Sequence, residues 1–209
     1  MFLAIKIFLT IYFFIPLNEE ATMQEFSNSI VVDSELSFED AVDGLDIPLE
    51  IKKNLTLITV LYNGYDNKIH KGQLLLHRNI SAEVKEIFDV ILSKRFPIEK
   101  VIPIVHYGWD DNRSMNDNNT SAFNYRKIDG SDKLSNHSYG VAIDINPLQN
   151  PFVKGKKVLP KGAKYDKNEI GTIDSNSIVV KVFKEKGWQW GGDWKSRKDY
   201  QHFEKPDVR

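Results

Sequence analysis

Two short segments near the C-terminus concentrate the residues that could bind a metal ion. The first reads SNHSYGVAID and contains His137 and Asp144, and the second reads DYQHFE and contains Asp199 and His202. Two imidazoles and one carboxylate are a usual ligand set for a catalytic zinc ion, whose fourth position stays open for water. The chain has no cysteine, so only His, Asp and Glu can hold a metal. We therefore predict one zinc ion held by His137, Asp144 and His202.

The spacing of the first segment requires a bend between its two candidate ligands. Seven residues of fully extended strand would separate His137 from Asp144 by about 23 Å, whereas both donors must converge on one point to bind zinc. Gly140 suits the bend, because glycine adopts backbone angles that other residues avoid. A strand over residues 141–145 would then deliver Asp144, and the small Ala142 on the same face would leave room beside it.

Asp199 lies three residues before His202, so both side chains can approach one metal ion with a modest turn between them. A carboxylate that does not bind the metal can take a proton from the attacking water and pass it to a leaving amine. We therefore predict that Asp199 is the catalytic acid and base. Glu204 is the alternative, but it lies two residues beyond His202 and is better placed to orient the imidazole.

Each of these residues also has an ordinary structural explanation. His137 alone would be a hydrogen-bonded structural histidine, and Asp144 at a strand end would be a turn acceptor. His202 near the terminus would simply be exposed. The combination of the bend, the ligand set and the nearby acid favours the metal site. The remaining histidines lack such neighbours and are interpreted as surface or core residues: His70, His77 and His106.

Composition and charge indicate an ordinary globular domain. Of the 209 residues, 27% are charged and 41% are hydrophobic, which is typical of a soluble protein long enough to form one domain. The formal net charge of -1 gives no concentrated basic surface for phosphate groups. We therefore expect no binding to nucleic acid. We also expect a monomer.

Residues 1–17 read MFLAIKIFLTIYFFIPL, an apolar run with a single charge at Lys6. The run is typical of a secretory leader, although no small-residue cleavage site follows it. An uncleaved N-terminal anchor and a buried first helix or strand are the alternatives. The predicted organisation is a signal peptide or anchor over residues 1–22, a linker and N-terminal extension over 23–48, and the zinc-dependent catalytic domain over 49–209. We expect an exported protein, periplasmic or associated with the cell envelope, that touches a membrane only through such an anchor.

The hydrophobic pattern predicts short strands and isolated helices without a regular βαβ repeat. Residues 55–62 read LTLITVLY, and turn residues lead from them to a second apolar stretch near 74–76, which is typical of a β-hairpin. Apolar residues at three- and four-residue steps predict a helix over 81–95, capped by Ser81. Further predicted elements are short helices near 38–42 and 177–186, strands over 101–105, 123–128, 188–190 and 200–203, and loops over 110–121 and 147–167. This order predicts an α+β fold with a small antiparallel sheet flanked by helices.

The strings SNHSYGVAIDINP, GWQWGGDW and DYQHFE follow one another between residues 135 and 204. Together they resemble the zinc D-alanyl-D-alanine carboxypeptidase family, which also includes dipeptidases of vancomycin resistance and phage L-alanyl-D-glutamate endopeptidases. The resemblance covers residues 123–204 and does not extend to the first half of the chain. It implies an α+β fold similar to that of the DD-peptidases and of the signalling domains of hedgehog proteins.

The resemblance implies the same three zinc ligands and the same acid and base, and it adds a third kind of residue. Within the segment FNYR, Arg126 matches an arginine that steadies the tetrahedral intermediate or the substrate carbonyl, a role that suits a permanently charged guanidinium. Ser135 matches a serine that touches substrate, although a turn cap explains it almost as well. Trp190 is assigned to the cleft wall as a substrate contact, and Asp193 to fixing the turn.

The resemblance further implies hydrolysis of amide bonds in peptidoglycan stem peptides, in the first place as a D-alanyl-D-alanine carboxypeptidase. An L-alanyl-D-glutamate endopeptidase is the alternative, since the choice depends on whether residues such as 110–121 close the cleft beyond the leaving residue. A non-catalytic zinc-containing binding module of the same fold is a rival of another class, which the presence of Asp199 disfavours. A structural metal site would need a fourth protein ligand, and we find none in the sequence.

Overall fold

The computed structural model describes residues 30–208. The predicted leader and the first part of the predicted linker lie outside the described residues. Five α-helices are found in the described part: α1 Phe38–Ala41, α2 Leu49–Lys52, α3 Ser81–Ser93, α4 Asp111–Asn116 and α5 Ile178–Glu185. Short 3-10 turns are interspersed with them: Arg78–Ile80, Ile104–Tyr107, Asn136–Tyr139, Gly191–Asp193 and Pro206–Val208.

The strands are short and form several small sheets. Within residues 30–208 the strands are β1 Val31–Val32, β2 Leu55–Asn63, β3 Ile69–His77, β4 Lys100–Val101, β5 Asn119–Thr120, β6 Ala142–Asp144, β7 Phe152–Lys154, β8 Lys157–Leu159, β9 Gln189–Trp190, β10 Lys198–Asp199 and β11 His202–Glu204. Three sheets have the orders β1-β3-β2, β10-β7-β8 and β6-β11-β9, and β4 pairs with β5. The α+β class is therefore as predicted. The sheet content, however, is divided among four small sheets, in which β1-β3 and β4-β5 are parallel pairs.

The predicted β-hairpin is confirmed and forms one side of the core. Strands β2 and β3 pair antiparallel from the Leu55–His77 pair to the Asn63–Ile69 pair, and β-branched and leucine side chains on their inner face are buried against α3. Because α3 carries apolar residues at three- and four-residue steps, one stripe of the helix faces this sheet. The buried residues of that stripe are Val84, Ile87, Phe88 and Ile91.

The C-terminal elements cover the other side of the same core. Ser177 caps α5 by accepting a hydrogen bond from the Val180 backbone N–H, and Gly187 ends the helix with a φ of 80°. Phe183 on α5 stacks on Phe203 of β11, with ring centroids 4.2 Å apart. The helix thereby holds the sheet β6-β11-β9 against the hairpin, and this sheet carries much of the functional site.

Three local predictions differ from the structure. Ser81 does not cap α3, since its hydroxyl donates to the Arg78 carbonyl at 2.8 Å and the helix follows a 3-10 turn. The predicted strand over 101–105 ends at Val101, because a 3-10 turn follows Pro103. Residues 123–128 do not form a regular strand, because the Ser138 hydroxyl binds the backbone of this segment in place of a neighbouring strand.

The polar segment 110–121 is not the predicted surface loop. It forms α4 and β5, and Asn119 of β5 is fully buried. The Asn119 side chain donates to the Ile102 carbonyl and to Ser114, and accepts from the Ile102 N–H. A polar side chain can be buried when it forms hydrogen bonds with buried backbone groups. The prediction of a surface loop, which was based on polarity alone, was therefore wrong. The predicted loop 147–167 likewise contains the hairpin of β7 and β8.

Among residues 30–208, the structure contains no helix that combines the length and apolar character needed to span a membrane.

Candidate metal centre and active site

Two of the predicted ligands form one cross-strand pair. Strands β6 and β11 are antiparallel, and their register places His202 directly opposite Asp144. Side chains at directly opposite positions lie on the same face with their Cβ atoms about 5 Å apart. The pairing of two short strands, separated by 58 residues in sequence, is therefore sufficient to bring the imidazole and the carboxylate together.

The third ligand comes from the turn that precedes β6. Ser135 caps this turn, since its hydroxyl accepts from the His137 N–H, and Gly140 ends it in the left-handed conformation with a φ of 67°. A Cβ atom on Gly140 would lie 2.6 Å from the His77 backbone nitrogen, so a side chain is excluded by contact as well as by conformation. The predicted bend at Gly140 is confirmed, and it directs His137 back toward Asp144.

The donor atoms of the three side chains converge on one point. His137 Nε2 lies 3.2 Å from Asp144 Oδ2, and His202 Nδ1 lies 2.9 Å from Asp144 Oδ1. The two imidazole nitrogens are 3.3 Å apart, and all three donors lie within 4.8 Å of one another. All three residues are at most 8% exposed. The structure thus brings together the three residues that the sequence predicted as ligands.

The neighbours of the two imidazoles decide which nitrogen is available to a metal. His137 Nδ1 faces the Ala122 carbonyl, which can only accept, so this nitrogen carries the proton and Nε2 presents a lone pair. His202 Nε2 faces Glu204 Oε2 at 3.0 Å, so its Nδ1 presents a lone pair in the same way. Two lone pairs and a carboxylate that face one another in a buried site require a cation. This nitrogen, nitrogen and oxygen set fits zinc with an open position, and Glu204 has the imidazole-orienting position that was considered for it.

The charges of the cluster are strongly interdependent. Burial opposes ionisation of Asp144, but the neighbouring His137 and His202 hold the pKa of its carboxyl far below the usual range. Burial also lowers the pKa of His202, yet the hydrogen bonds to Asp144 and Glu204 raise it overall to about 10. The cluster therefore favours positive charge between its donors, whether a proton or a metal ion supplies it.

Asp199, the predicted acid and base, borders the same cluster from the sheet β10-β7-β8. Its Oδ1 atom is buried and has no hydrogen-bond partner within residues 30–208. Burial and the charge of Asp144 raise the pKa of this carboxyl to about 7, against the lowering effect of His202. A carboxyl with a pKa near neutrality can both accept and donate a proton at physiological pH. Glu204, the alternative, instead contacts His202 Nε2 at 3.0 Å.

Gly191 in the WGGDW string controls the position of Asp199. A Cβ atom on Gly191 would lie 2.5 Å from the Asp199 carbonyl oxygen and 2.8 Å from its Cβ. Contacts this short do not occur, so the strand that carries Asp199 lies where it does only because residue 191 has no side chain. Asp193 was assigned to this turn from the sequence, and the structure adds this function of Gly191.

Arg126 lines the same cavity as the cluster. One of its terminal nitrogens pairs with Asp111 Oδ2 of α4 at 2.7 Å, while its Nε is buried and has no hydrogen-bond partner among the described residues. The Arg126 backbone is held by Ser138, whose hydroxyl accepts from its N–H at 2.9 Å. The guanidinium is therefore anchored on one side and keeps a donor for a further oxygen.

One cavity of about 920 Å³ joins these groups. The three candidate ligands, Asp199, Arg126, Ser135 and Glu204 all line it. Four buried polar side-chain atoms have no partner within residues 30–208, and three of them belong to lining residues, namely Arg126, Asp199 and Gln201. Unpartnered buried polar groups are rare in folded proteins, so their concentration here indicates a site for a polar ligand.

Two residues that were predicted to contact substrate have a structural role. Trp190 has this role instead of the predicted contact, and Ser135 has it in addition to lining the cavity. Trp190 does not line the cavity, because its side chain is 4% exposed, donates to the Tyr200 carbonyl and packs near Phe203. Its assignment as a substrate contact is therefore corrected to a core residue. Trp194 is the tryptophan that lines the cavity. Ser135 lines the cavity too, but its hydroxyl already caps the His137 turn.

Other residues also line the cavity. Asp111, Asn112 and Met115 of α4 belong to segment 110–121, which was considered as a part that closes the cleft, whereas the lining by the β7-β8 hairpin was not predicted. Nothing in the local sequence of α4 signals its contact with Arg126, which depends on how the chain folds back. The hairpin had a detectable signal, since the apolar pairs in FVK and KVL flank Gly155.

Comparison with known proteins agrees with this site. Residues 129–205 match the model of a family described as D-alanyl-D-alanine carboxypeptidase. This segment contains the three candidate ligands and Asp199. Arg126 lies just outside the match, so its assignment depends on the geometry described above.

One curated relative is the peptidoglycan L-alanyl-D-glutamate endopeptidase CwlK of Bacillus subtilis (strain 168). It is 43% identical over 70 residues, which cover 34% of this chain and 38% of that protein. The matched part thus spans well under half of the length of this relative. No solved structure matches the chain significantly.

Proposed function

We propose that this protein is a zinc-dependent peptidase that hydrolyses amide bonds in peptidoglycan stem peptides. The observation that carries the proposal is the convergence of His137, Asp144 and His202 beside Asp199, whose buried Oδ1 atom has no partner, within one cavity. The peptidase family of residues 129–205 supports the reaction class. One zinc ion would be held by the two imidazoles and the carboxylate.

In this proposal a bound zinc ion supplies Lewis acidity, which polarises the scissile carbonyl and acidifies water. Asp199 accepts the proton of the attacking water on its free carboxylate oxygen. It then donates this proton to the leaving amine, so that no free amide anion has to form. The pKa of about 7 suits both steps.

Two further groups are suited to hold the peptide. The Arg126 Nε can donate to the carbonyl oxygen on which negative charge develops. The Gln201 Oε1 is buried without a partner among the described residues and can accept from a substrate N–H. Because one is a donor and the other an acceptor, together they complement the two polar groups of an amide bond.

The bond that is cleaved has two candidates. A D-alanyl-D-alanine carboxypeptidase is supported by the description of the matching family. An L-alanyl-D-glutamate endopeptidase is supported by the name of the Bacillus relative. We retain the carboxypeptidase as the first candidate and the endopeptidase as the second. The apolar run over residues 1–17 supports action at the cell envelope after export.

A single digestion experiment tests the proposal. Zinc-loaded protein is incubated with a defined muropeptide that contains both an L-alanyl-D-glutamate bond and a D-alanyl-D-alanine terminus, and the products are identified by mass. Loss of the terminal D-alanine indicates the first candidate, and a split after L-alanine indicates the second. Asp199→Asn is expected to bind zinc but to lose turnover.

The matched control is Asp193→Asn, since Asp193 lies on the nearby turn Gly191–Asp193, is exposed and pairs with Lys184. This variant should keep the parent rate. Failure of the parent to cleave either bond while holding zinc would favour the non-catalytic binding module. Equal turnover by Asp199→Asn would remove Asp199 from the mechanism.

A further inference from the structure

The sheet that carries Asp199 presents two ordered rows of side chains to the cavity. In its antiparallel register, Asp199 of β10 faces Phe152 of β7, which in turn faces Leu159 of β8. These three residues form the inner row, and all of them line the cavity. Directly opposite residues share a face of a sheet, so the row is an apolar floor that ends at the proposed acid and base.

The outer row of the same face consists entirely of cations. Lys157 is paired with Lys154 in the register of β7 and β8, and one further step of the β10-β7 register brings Arg197 opposite Lys154. Residues two positions apart in a strand lie on the same face, and all three cations line the cavity. We call Lys157, Lys154 and Arg197 the cationic row.

The cationic row has few internal partners. Like charges directly opposite each other destabilise a sheet. Among residues 30–208, only Lys157 of the row has a carboxylate partner, Asp129 Oδ2 at 2.6 Å. The Asp129 side chain is 85% exposed, so this ion pair is weak and exchangeable. Arg197 lies over the Trp194 ring at 4.3 Å, and Lys154 has no ion pair within the part of the chain that the structure describes. The row therefore retains positive charge that faces the cavity.

We propose that the cationic row binds a carboxylate of the substrate and selects peptides that carry one close to the scissile amide. This inference rests on the proposed function and names a specificity determinant of that site. Two residues along a strand span about 6.6 Å, so the row begins roughly one to two peptide residues from Asp199. Since Asp199 protonates the leaving amine, the recognised carboxylate belongs to the residue that leaves.

The test compares peptides that differ in one charge. One pair ends in D-alanyl-D-alanine with a free or an amidated C-terminus, and the other contains L-alanine followed by D-glutamate or D-glutamine. For the pair that it cleaves, the zinc-loaded parent should have a kcat/KM about tenfold higher for the peptide with the free carboxylate than for its amide. This difference is typical of charge-assisted contacts. The double variant Lys154→Gln/Arg197→Gln should reduce this preference to about twofold, mainly by raising KM for the acid.

Lys156→Gln is the matched control, because Lys156 lies in the turn of the same hairpin and does not line the cavity. It should keep the parent preference. Raising the salt concentration should weaken the preference in the parent and have little effect in the double variant.

A binding measurement separates this inference from the proposed function. Tryptophan fluorescence of zinc-loaded Asp199→Asn is titrated with the same acid and amide peptides, with and without the two cation substitutions. Tighter binding of the acids that depends on Lys154 and Arg197 supports the inference even if the parent cleaves neither pair. The inference would be overturned if the parent binds and cleaves acid and amide peptides equally well. It would also be overturned if the double variant loses affinity and kcat/KM equally for both peptides.

Discussion

Replacement of Gly191 by alanine should reduce turnover without removing the metal. The new Cβ would lie 2.5 Å from the Asp199 carbonyl oxygen and 2.8 Å from its Cβ, whereas ordinary contacts begin at 3.4 Å. The backbone of β10 must therefore retreat by about 0.6 to 0.9 Å. A displacement of this size at a catalytic group can cost about 100-fold in rate, and we expect a fall in kcat of about 10- to 100-fold.

The assay measures three quantities on the same preparation. Steady-state hydrolysis of the cleaved muropeptide gives kcat, metal analysis after dialysis gives the zinc content, and thermal unfolding gives the stability. The ligand residues lie on β6, on β11 and on the turn before β6, so zinc should remain at one ion per chain. The fall should be in kcat, because Asp199 acts on the reacting atoms and does not bind the ion.

Gly187→Ala provides the control for a general loss of stability. Gly187 has a φ of 80°, but no atom lies within 4 Å of the position of its Cβ. The substitution strains the backbone by about 1–2 kcal/mol without moving Asp199, so it should lower the melting temperature and leave kcat unchanged. A Gly191→Ala protein with parent kcat and full zinc content would refute the positional argument.

Three further predictions concern the metal centre. Zinc affinity of the parent should rise by about tenfold per pH unit below the His202 pKa of about 10, because zinc must displace the proton held there. Competition with a fluorescent chelator measures this affinity. An affinity that does not change with pH would contradict the assignment of His202 as a ligand. Glu204→Gln should weaken zinc binding by about 10- to 100-fold, since the hydrogen bond that orients His202 loses its charge, and Gln189→Glu on the neighbouring strand should not. Gly140→Ala should lower the free energy of unfolding of the zinc-free protein by about 2–4 kcal/mol in denaturant unfolding. The reason is that the new side chain combines a left-handed φ with contact against β3. A variant as stable as the parent would show that the bend tolerates a side chain.

Local sequence predicted the elements whose formation depends on their own residues. The hairpin of β2 and β3 follows from two apolar stretches joined by turn residues, and helix α3 follows from the helical spacing of its apolar residues. Both are found in the structure. Helix α5 begins after Ser177 and ends at Gly187, as its capping residue and glycine indicate. The loop predicted over 110–121 was wrong, because the buried position of Asn119 depends on backbone groups of a distant segment.

Some features of the candidate site could likewise be predicted from the sequence, and others could not. The types and spacing of His137, Gly140, Asp144 and His202 were sufficient to predict a metal centre, since few ligand sets suit zinc and only glycine fits the bend. The position of Glu204, two residues beyond His202 on the same strand, was also sufficient to predict its contact with the imidazole. The sequence did not distinguish Trp190 from Trp194, since both are aromatic residues of the same short string.

By itself, therefore, the sequence determined which side chains could carry the chemistry, because metal binding and proton transfer demand particular atoms. The tertiary structure alone decided which atoms surround them: the Asp111 partner of Arg126, the contact between Gly191 and Asp199, and the cationic row beside the cavity. These depend on the pairing of β10 with β7 and on the packing of α4, which bring together residues far apart in the chain. Long-range pairings of this kind leave no local periodicity for a sequence to reveal.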